Sequence, residues 1–294
     1  MTTTLLPRHV PITVAYRGAH PENIHHGSVA VVDASGRLLA SVGDIETPLF
    51  TRSSLKPFQA MPLIAQASER YQLDDADLAL LCASHSGEPM HVQRVAALLH
   101  KIGASESALA CGTHVPFFFG ATGTSPESGA RFSPLHHNCS GKHTGMLMLA
   151  HVLGAAQVDY LDPHHPVQQQ IAASVSHFSG VPVPQLVSGI DGCSAPNYAL
   201  PLRALAHAFA RLTQDAPERV LIHDAARPLV PADLINRVIA SIASGVGVFG
   251  FLAENRGLQA RQQVVDGGHQ RRHFLGHHRD LDGAQVVGFA GADA

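Results

Sequence analysis

Lysine is almost absent from this chain: Lys56, Lys101 and Lys142 stand alone among 20 basic residues in 294. Charged residues make up 15% against 45% hydrophobic, which excludes a disordered chain or a coiled coil. The formal net charge of −3, with 21 histidines counted as neutral, leaves no basic field for nucleic acid or an anionic membrane. No apolar run reaches the ~18 residues of a membrane span. The four cysteines (Cys82, Cys111, Cys139, Cys193) form no C-x-x-C pair, so a disulfide scaffold is not expected and a cytoplasmic protein with free thiols is. Met1 to Arg8 lacks the pattern of a signal peptide. Proline ceases after Pro231, cysteine after Cys193 and lysine after Lys142.

Because Arg is the default cation here, each Lys raises the question of why an amine was needed. Arg stays charged, whereas Lys can lose its proton and act as a base or a ligand. The length allows one large domain or two modest ones. Ser28–Asp33 and Leu38–Val42 are apolar runs around Ala34-Ser35-Gly36, which predicts a β-hairpin. Helical spacing marks Pro57–Ala67, Ala76–Cys82, Val92–Ile102, Thr144–Leu153, Val167–Phe178 and Leu202–Leu212. Early strands followed by many helices predict an α+β fold.

Four segments could carry chemistry. In Arg52-Ser53-Ser54-Leu55-Lys56-Pro57, Ser53 lies one helical turn before Lys56, so a neutral Lys56 amine could take the hydroxyl proton. Cys82-Ala83-Ser84-His85-Ser86-Gly87-Glu88-Pro89 gathers small hydroxyl residues at a helix end, as a proton relay or a capped turn would. His137-Asn138-Cys139-Ser140-Gly141-Lys142-His143-Thr144 packs a thiol, an amine and imidazoles ahead of an apolar helix. A thiolate is favoured there, Gly141 permits close approach of a ligand to the backbone, and Cys139 and Lys142 can face one point. In Ser188–Tyr198, Asp191 and Cys193 alternate as in an extended strand. Together with Cys139 they offer sulfur and oxygen donors suited to zinc, although the spacing matches no standard zinc finger. The paired histidines (His25-His26, His164-His165, His277-His278) read as surface residues.

In this order, RSSLKP, CASHSGEP, HNCSGKHTGM and DGCSAPNYALPL resemble the asparaginase II family of Ser–Lys, zinc-binding L-asparaginases over about residues 10–212. The resemblance implies a serine β-lactamase-like fold, an antiparallel sheet packed with helices, whose Ser-x-x-Lys opens a central helix. It implies Ser53 as nucleophile, Lys56 as its base, and Ser84 in a second Ser–Lys relay completed by Lys142. Cys139, Lys142 and Cys193 would bind zinc, and Arg52, His143 and Asp191 would line the substrate site. The implied reaction is acyl transfer, in which Ser53 attacks the side-chain amide of L-asparagine, ammonia leaves, and water releases aspartate. A homodimer is the implied assembly. Two other readings stay open: a catalytically impaired zinc-binding remnant, and a serine acyl-enzyme acting on another amide.

The resemblance ends near Leu212. A Lys-Gly-Gly stretch and a further cysteine usual in the family are absent, and Asp266-Gly267-Gly268 is a poor substitute. Arg219–Ser241 instead resembles a segment of the cytidylyltransferases of isoprenoid synthesis, without their Gly-rich nucleotide-binding start. Residues 213–294 therefore read as a chimeric or frame-shifted region joined to a 1–212 catalytic domain. Losing C-terminal strands would open a sheet edge unless the tail supplies them.

Overall fold

The computed structural model describes residues 7–33, 35–215 and 247–253. Its strands are β1 (Val10–Arg17), β2 (His20–Asp33), β3 (Leu38–Val42), β4 (Leu49–Phe50), β5 (Val187–Ile190), β6 (Pro196–Leu200) and β7 (Gly247–Ala253). Its helices are α1 (Lys56–Ala67), α2 (Asp75–Cys82), α3 (Pro89–His100), α4 (Phe117–Thr122), α5 (Ser140–Val152), α6 (Pro166–Ser179) and α7 (Leu202–Asp215). Two antiparallel sheets packed with helices make this an α+β fold.

The predicted hairpin is β2 with β3. Its turn closes through the Gly36 N–H on the Asp33 carbonyl at 2.8 Å, with Gly36 at φ +81°, where a side chain would be strained. Ser28, Ala30 and Val32 are buried at every second position, the period of a strand with one covered face, and α7 packs across this part of β2. The preceding half of β2 is polar and exposed. It pairs with β1, a strand the sequence reading left out. From Gly27 onward the edge of β2 opposite β3 is taken by β7, in register from Gly27↔Ala253 to Asp33↔Gly247. Among its described residues, the region after Leu212 thus supplies the end of α7 and one sheet strand; the rest of the atypical segment lies outside the described residues.

At the centre is α5, with every residue from Ser140 to Ala150 buried, as expected of a helix enclosed on all sides. Helices α1, α2 and α3 pack against it, and α6 bridges α1 and α7. Helix α5 begins four residues before the predicted Thr144. Gly141 is what lets it approach α2: a Cβ there would collide with the Leu80 carbonyl oxygen. The close approach inferred for Gly141 is therefore to a neighbouring helix and not to a ligand.

Helix α1 carries Pro62 in its interior. Proline has no N–H for the carbonyl four residues back, which leaves the Phe58 oxygen without its helical donor. Ser174 on α6 supplies the missing bond, its Oγ donating to that oxygen at 2.7 Å.

The small sheet runs β4-β6-β5. All five residues of β6 are buried, so the alternation that reveals a half-exposed strand is missing. Residues 191–195 form the tight connection between β5 and β6, closed by the Asp191 N–H on the Ala195 carbonyl and the Ser194 N–H on the Asp191 carbonyl, each at 2.9 Å. Asp191 and Cys193 thus sit in a turn, with Ser194 at φ +68°, and not on a strand as their alternation predicts.

Candidate active site

The segment before α1 sets up the site. Thr51 leads into a single 3₁₀ turn, Arg52–Leu55, which passes directly into α1 at Lys56. In 3₁₀ geometry residues three apart eclipse, which places Ser53 and Lys56 on one side. Arg52 has φ +52°, a left-handed conformation that costs a non-glycine residue about 1–2 kcal/mol.

Ser84 lies in the loop that leaves α2. Its Oγ is 2.8 Å from Ser53 Oγ and accepts a hydrogen bond from Lys56 Nζ. The three groups form one chain, Ser53–Ser84–Lys56, with Ser84 in the middle. Lys56 is 1% exposed. Burial pushes its amine below the ordinary lysine range, against the pull of Cys139 and with the help of the nearby Lys142 charge. The neighbouring His85 is fully engaged: Nδ1 accepts from the Gly87 N–H at 3.1 Å and Nε2 contacts Ser140 Oγ at 2.8 Å. Burial, and then the neighbouring His91, push it down to about 3. It is a neutral strut for the Ser84 loop, held further by the His85 N–H on the Asn138 carbonyl at 3.2 Å.

A second group forms at the start of α5 and the β5–β6 turn. Lys142 Nζ donates to Cys193 Sγ at 3.0 Å and lies 3.9 Å from Asp191 Oδ2. Asp191 Oδ1 is 3.4 Å from Arg52 Nη1. Cys139, the residue preceding α5, is driven well below the ordinary thiol range by a hydrogen bond from Cys193, with the Lys56 and Lys142 charges adding to it against burial. Cys193 is pushed up by the same bond and by burial. The shared hydrogen bond thus drives the two thiols apart, Cys139 downward and Cys193 upward. Burial pulls the Lys142 amine down, but Cys139, Cys193 and Asp191 outweigh it and the net direction is up.

His143 is wholly buried. Its Nδ1 meets Tyr160 Oη at 2.6 Å, that hydroxyl also accepts the Ala110 N–H at 2.9 Å, and Nε2 has no hydrogen-bond partner. Burial pushes the ring down to about 4.

The structure thus gathers Ser53, Lys56 and Ser84 in one network and Cys139, Lys142, Cys193, Asp191 and Arg52 in another. The hydrogen bond of the Lys142 amine goes to Cys193, and those of Ser84 go to Ser53 and Lys56. Sequence reasoning gave no role to Asn197, whose buried side chain accepts from the Arg52 N–H at 3.1 Å and donates to the Arg52 carbonyl at 3.0 Å. Its only sequence signal is its place within DGCSAPNYALPL, since a contact spanning the chain leaves no local pattern. His165, read as a surface residue, caps α6 by accepting the Val167 N–H at 3.2 Å.

Among the described residues, no three His, Cys, Asp or Glu side chains are disposed to hold one metal ion. A zinc site here therefore depends on the Lys142 amine as a third donor beside Cys139 and Cys193. The donor chemistry fits: two sulfurs flank an amine, and the buried His143 ring lies beside Cys193. Lys142 Nζ and Cys193 Sγ, 3.0 Å apart, would have to separate to the roughly 3.5 Å that two ligands of one tetrahedral zinc require. Lys142 would also have to shed its proton.

No helix among the described residues is long and apolar enough to cross a membrane. The sequence matches the L-asparaginase II family model over residues 13–235. No curated protein matches it. That match spans most of the chain, which therefore belongs to the L-asparaginase II family, a family of hydrolases.

Proposed function

We propose that this protein is an L-asparaginase-type amidohydrolase working through a Ser53 acyl-enzyme. The observation that carries the reading is the Ser53–Ser84–Lys56 chain. With Lys56 neutral, the Ser53 proton passes to Ser84 while the Ser84 proton passes to Lys56 Nζ. The Ser53 oxygen then attacks the side-chain amide carbon of L-asparagine. Lys56 returns its proton along the same path to the leaving nitrogen, and ammonia departs. The same groups take a proton from the water that releases aspartate.

Arg52 and Asp191, an ion pair at the edge of the site, suit the α-carboxylate and α-ammonium of a free amino acid. His143, kept neutral by burial, would support the site from beneath through its contact with Tyr160. Cys139, Lys142 and Cys193 would hold zinc, which when bound supplies Lewis-acid polarisation and lowers the pKa of groups around it. A Ser-x-x-Lys turn opening a helix against a buried neighbour supports a serine β-lactamase-like arrangement. The sequence reading places a separate origin from residue 213, but the family match runs on to residue 235, so such an origin is proposed only beyond that point; an uninterrupted frame at the resequenced locus, with the tail folded onto the core, would overturn it. Light scattering tests the homodimer.

The deciding experiment is ammonia release from L-asparagine by the zinc-loaded full chain, compared with Ser53→Ala. Release that vanishes in the variant is expected. No release from folded, zinc-loaded protein would point to the second reading, an impaired zinc-binding remnant. That alternative draws support from Lys142 being committed to Cys193 and Asp191 in a chain with no later lysine.

A further inference from the structure

We propose that Asn197 is a positioning residue for the nucleophile: its side-chain amide clamps the Arg52 backbone in the left-handed conformation that aims Ser53 Oγ at Ser84. The inference rests on the Ser53 reading above and adds a residue to it.

Among the described residues, four non-glycines have positive φ, namely Arg52, Gln72, Asp159 and Ser194, and of these only Arg52 adjoins the Ser53–Ser84–Lys56 chain. Such a conformation persists where its surroundings over-determine it, and here one side chain does so. The Asn197 carbonyl accepts the Arg52 N–H at 3.1 Å while the amide nitrogen donates to the Arg52 C=O at 3.0 Å. Both polar groups of one residue are thus tied to a single planar amide, and neither torsion of Arg52 can turn without breaking a bond. Asn197 is 2% exposed, so water cannot replace either bond.

The anchor itself is rigid. Asn197 lies in β6, fully buried and paired on both sides by β4 and β5. Thr51 reinforces it, donating from its N–H at 3.2 Å and its Oγ1 at 2.9 Å to the Tyr198 carbonyl. From the other flank, Gln59 Nε2 of α1 reaches the Pro196 carbonyl at 3.3 Å. The turn bearing Asp191 and Cys193 runs directly into β6, so the same strand holds that turn and the nucleophile.

The residue type follows from the geometry. A carboxylate only accepts and would leave the Arg52 carbonyl without its donor. Asn197→Asp is therefore the sharp variant, isosteric and lacking one of the two bonds. Were Arg52 to relax, the Ser53 hydroxyl would turn away from Ser84, and misplacement of this order costs about a hundredfold in rate.

The test uses the full chain with three readouts: circular dichroism, kcat and KM for ammonia release from L-asparagine, and the rate of Ser53 labelling by a fluorophosphonate. A folded Asn197→Asp is expected to lose about tenfold or more in kcat and in labelling, with KM within about twofold. Wild-type labelling and kcat in that variant would overturn the proposal. Arg52→Gly, with and without Asn197→Asp, decides the matter even if the single variant does not fold. Glycine needs no clamp at this φ, so the second change should add little to the labelling loss of Arg52→Gly alone, whereas a further tenfold loss would sink the idea. Wild-type protein that neither labels at Ser53 nor releases ammonia defeats the underlying function and not the clamp.

Discussion

Lys56 and Lys142 are both buried, yet their amines are driven in opposite directions. Burial lowers Lys56, and the charge on Lys142 lowers it further. Burial also works against Lys142, but two sulfurs and the Asp191 carboxylate overcome it. One lysine is thereby prepared to receive a proton, while the other holds its own unless a metal takes the amine, an arrangement that divides labour within a site. Arg could fill neither the neutral role nor that of a metal donor, which gives the scarcity of lysine a chemical meaning.

The relay has a defined middle. Ser84→Ala removes the group joining Ser53 to Lys56 and should lower kcat by about 10²–10⁴-fold while the protein stays folded. Steady-state ammonia release checks this, and wild-type turnover in Ser84→Ala would show that Lys56 acts on Ser53 without an intermediary.

Lys56→Arg retains a cation but offers no base. Ammonia release should fall to the level of Ser53→Ala. In the native chain kcat/KM should rise with pH, because the active form is the neutral amine and a lowered pKa brings it into range. A profile that falls from acid to neutral pH would exclude Lys56 as the base.

Zinc should bind at about one ion per chain if two thiols and an amine hold it, as metal analysis of dialysed protein would show. Cys139→Ser and Cys193→Ser should each abolish binding, and chelation should lower the melting temperature of the native chain only. Zinc content in the variants equal to that of the native chain would remove these residues from the metal site.

His85 gives the fold an acid limit. Its folded pKa, about 3, lies below the ordinary value near 6.5, so the unfolded chain binds the extra proton first. The stabilisation is complete above pH ~6.5 and is lost as the pH falls toward 3, on the order of 4 kcal/mol in all. Chemical denaturation across that window should show a steeper loss for the native chain than for His85→Gln. Equal slopes would count against a buried neutral imidazole.

Gly141→Ala should destabilise by roughly 1–3 kcal/mol, since the added methyl meets the Leu80 carbonyl. A thermal melt reads this directly. An unchanged midpoint would mean that α2 and α5 can part at no cost.

Much of this was legible in the sequence. The Ser-x-x-Lys turn, the start of α5 with its one thiol and six of the helices follow from local spacing, capping residues and apolar periodicity. What stayed hidden depended on distant partners. Strand β6 shows no alternation because it is buried throughout, and β1 is hard to see because it pairs with the polar, exposed half of β2. Position 141 demands a glycine for a neighbour that spacing cannot reveal. Ser84 was expected to pair with Lys142; the chain's folding brings it between Ser53 and Lys56 instead, a relation no one-dimensional spacing encodes.

The pairing of β2 with β7 has a consequence for the order of events on the ribosome. Gly27 emerges early, whereas its partner Ala253 is synthesised only after every helix described here. Until then that edge of β2 offers unsatisfied amides to any passing strand. Long-range closure of this kind slows folding and prolongs exposure to aggregation. The yield of native protein should therefore depend on how the nascent chain is sheltered while it waits for β7.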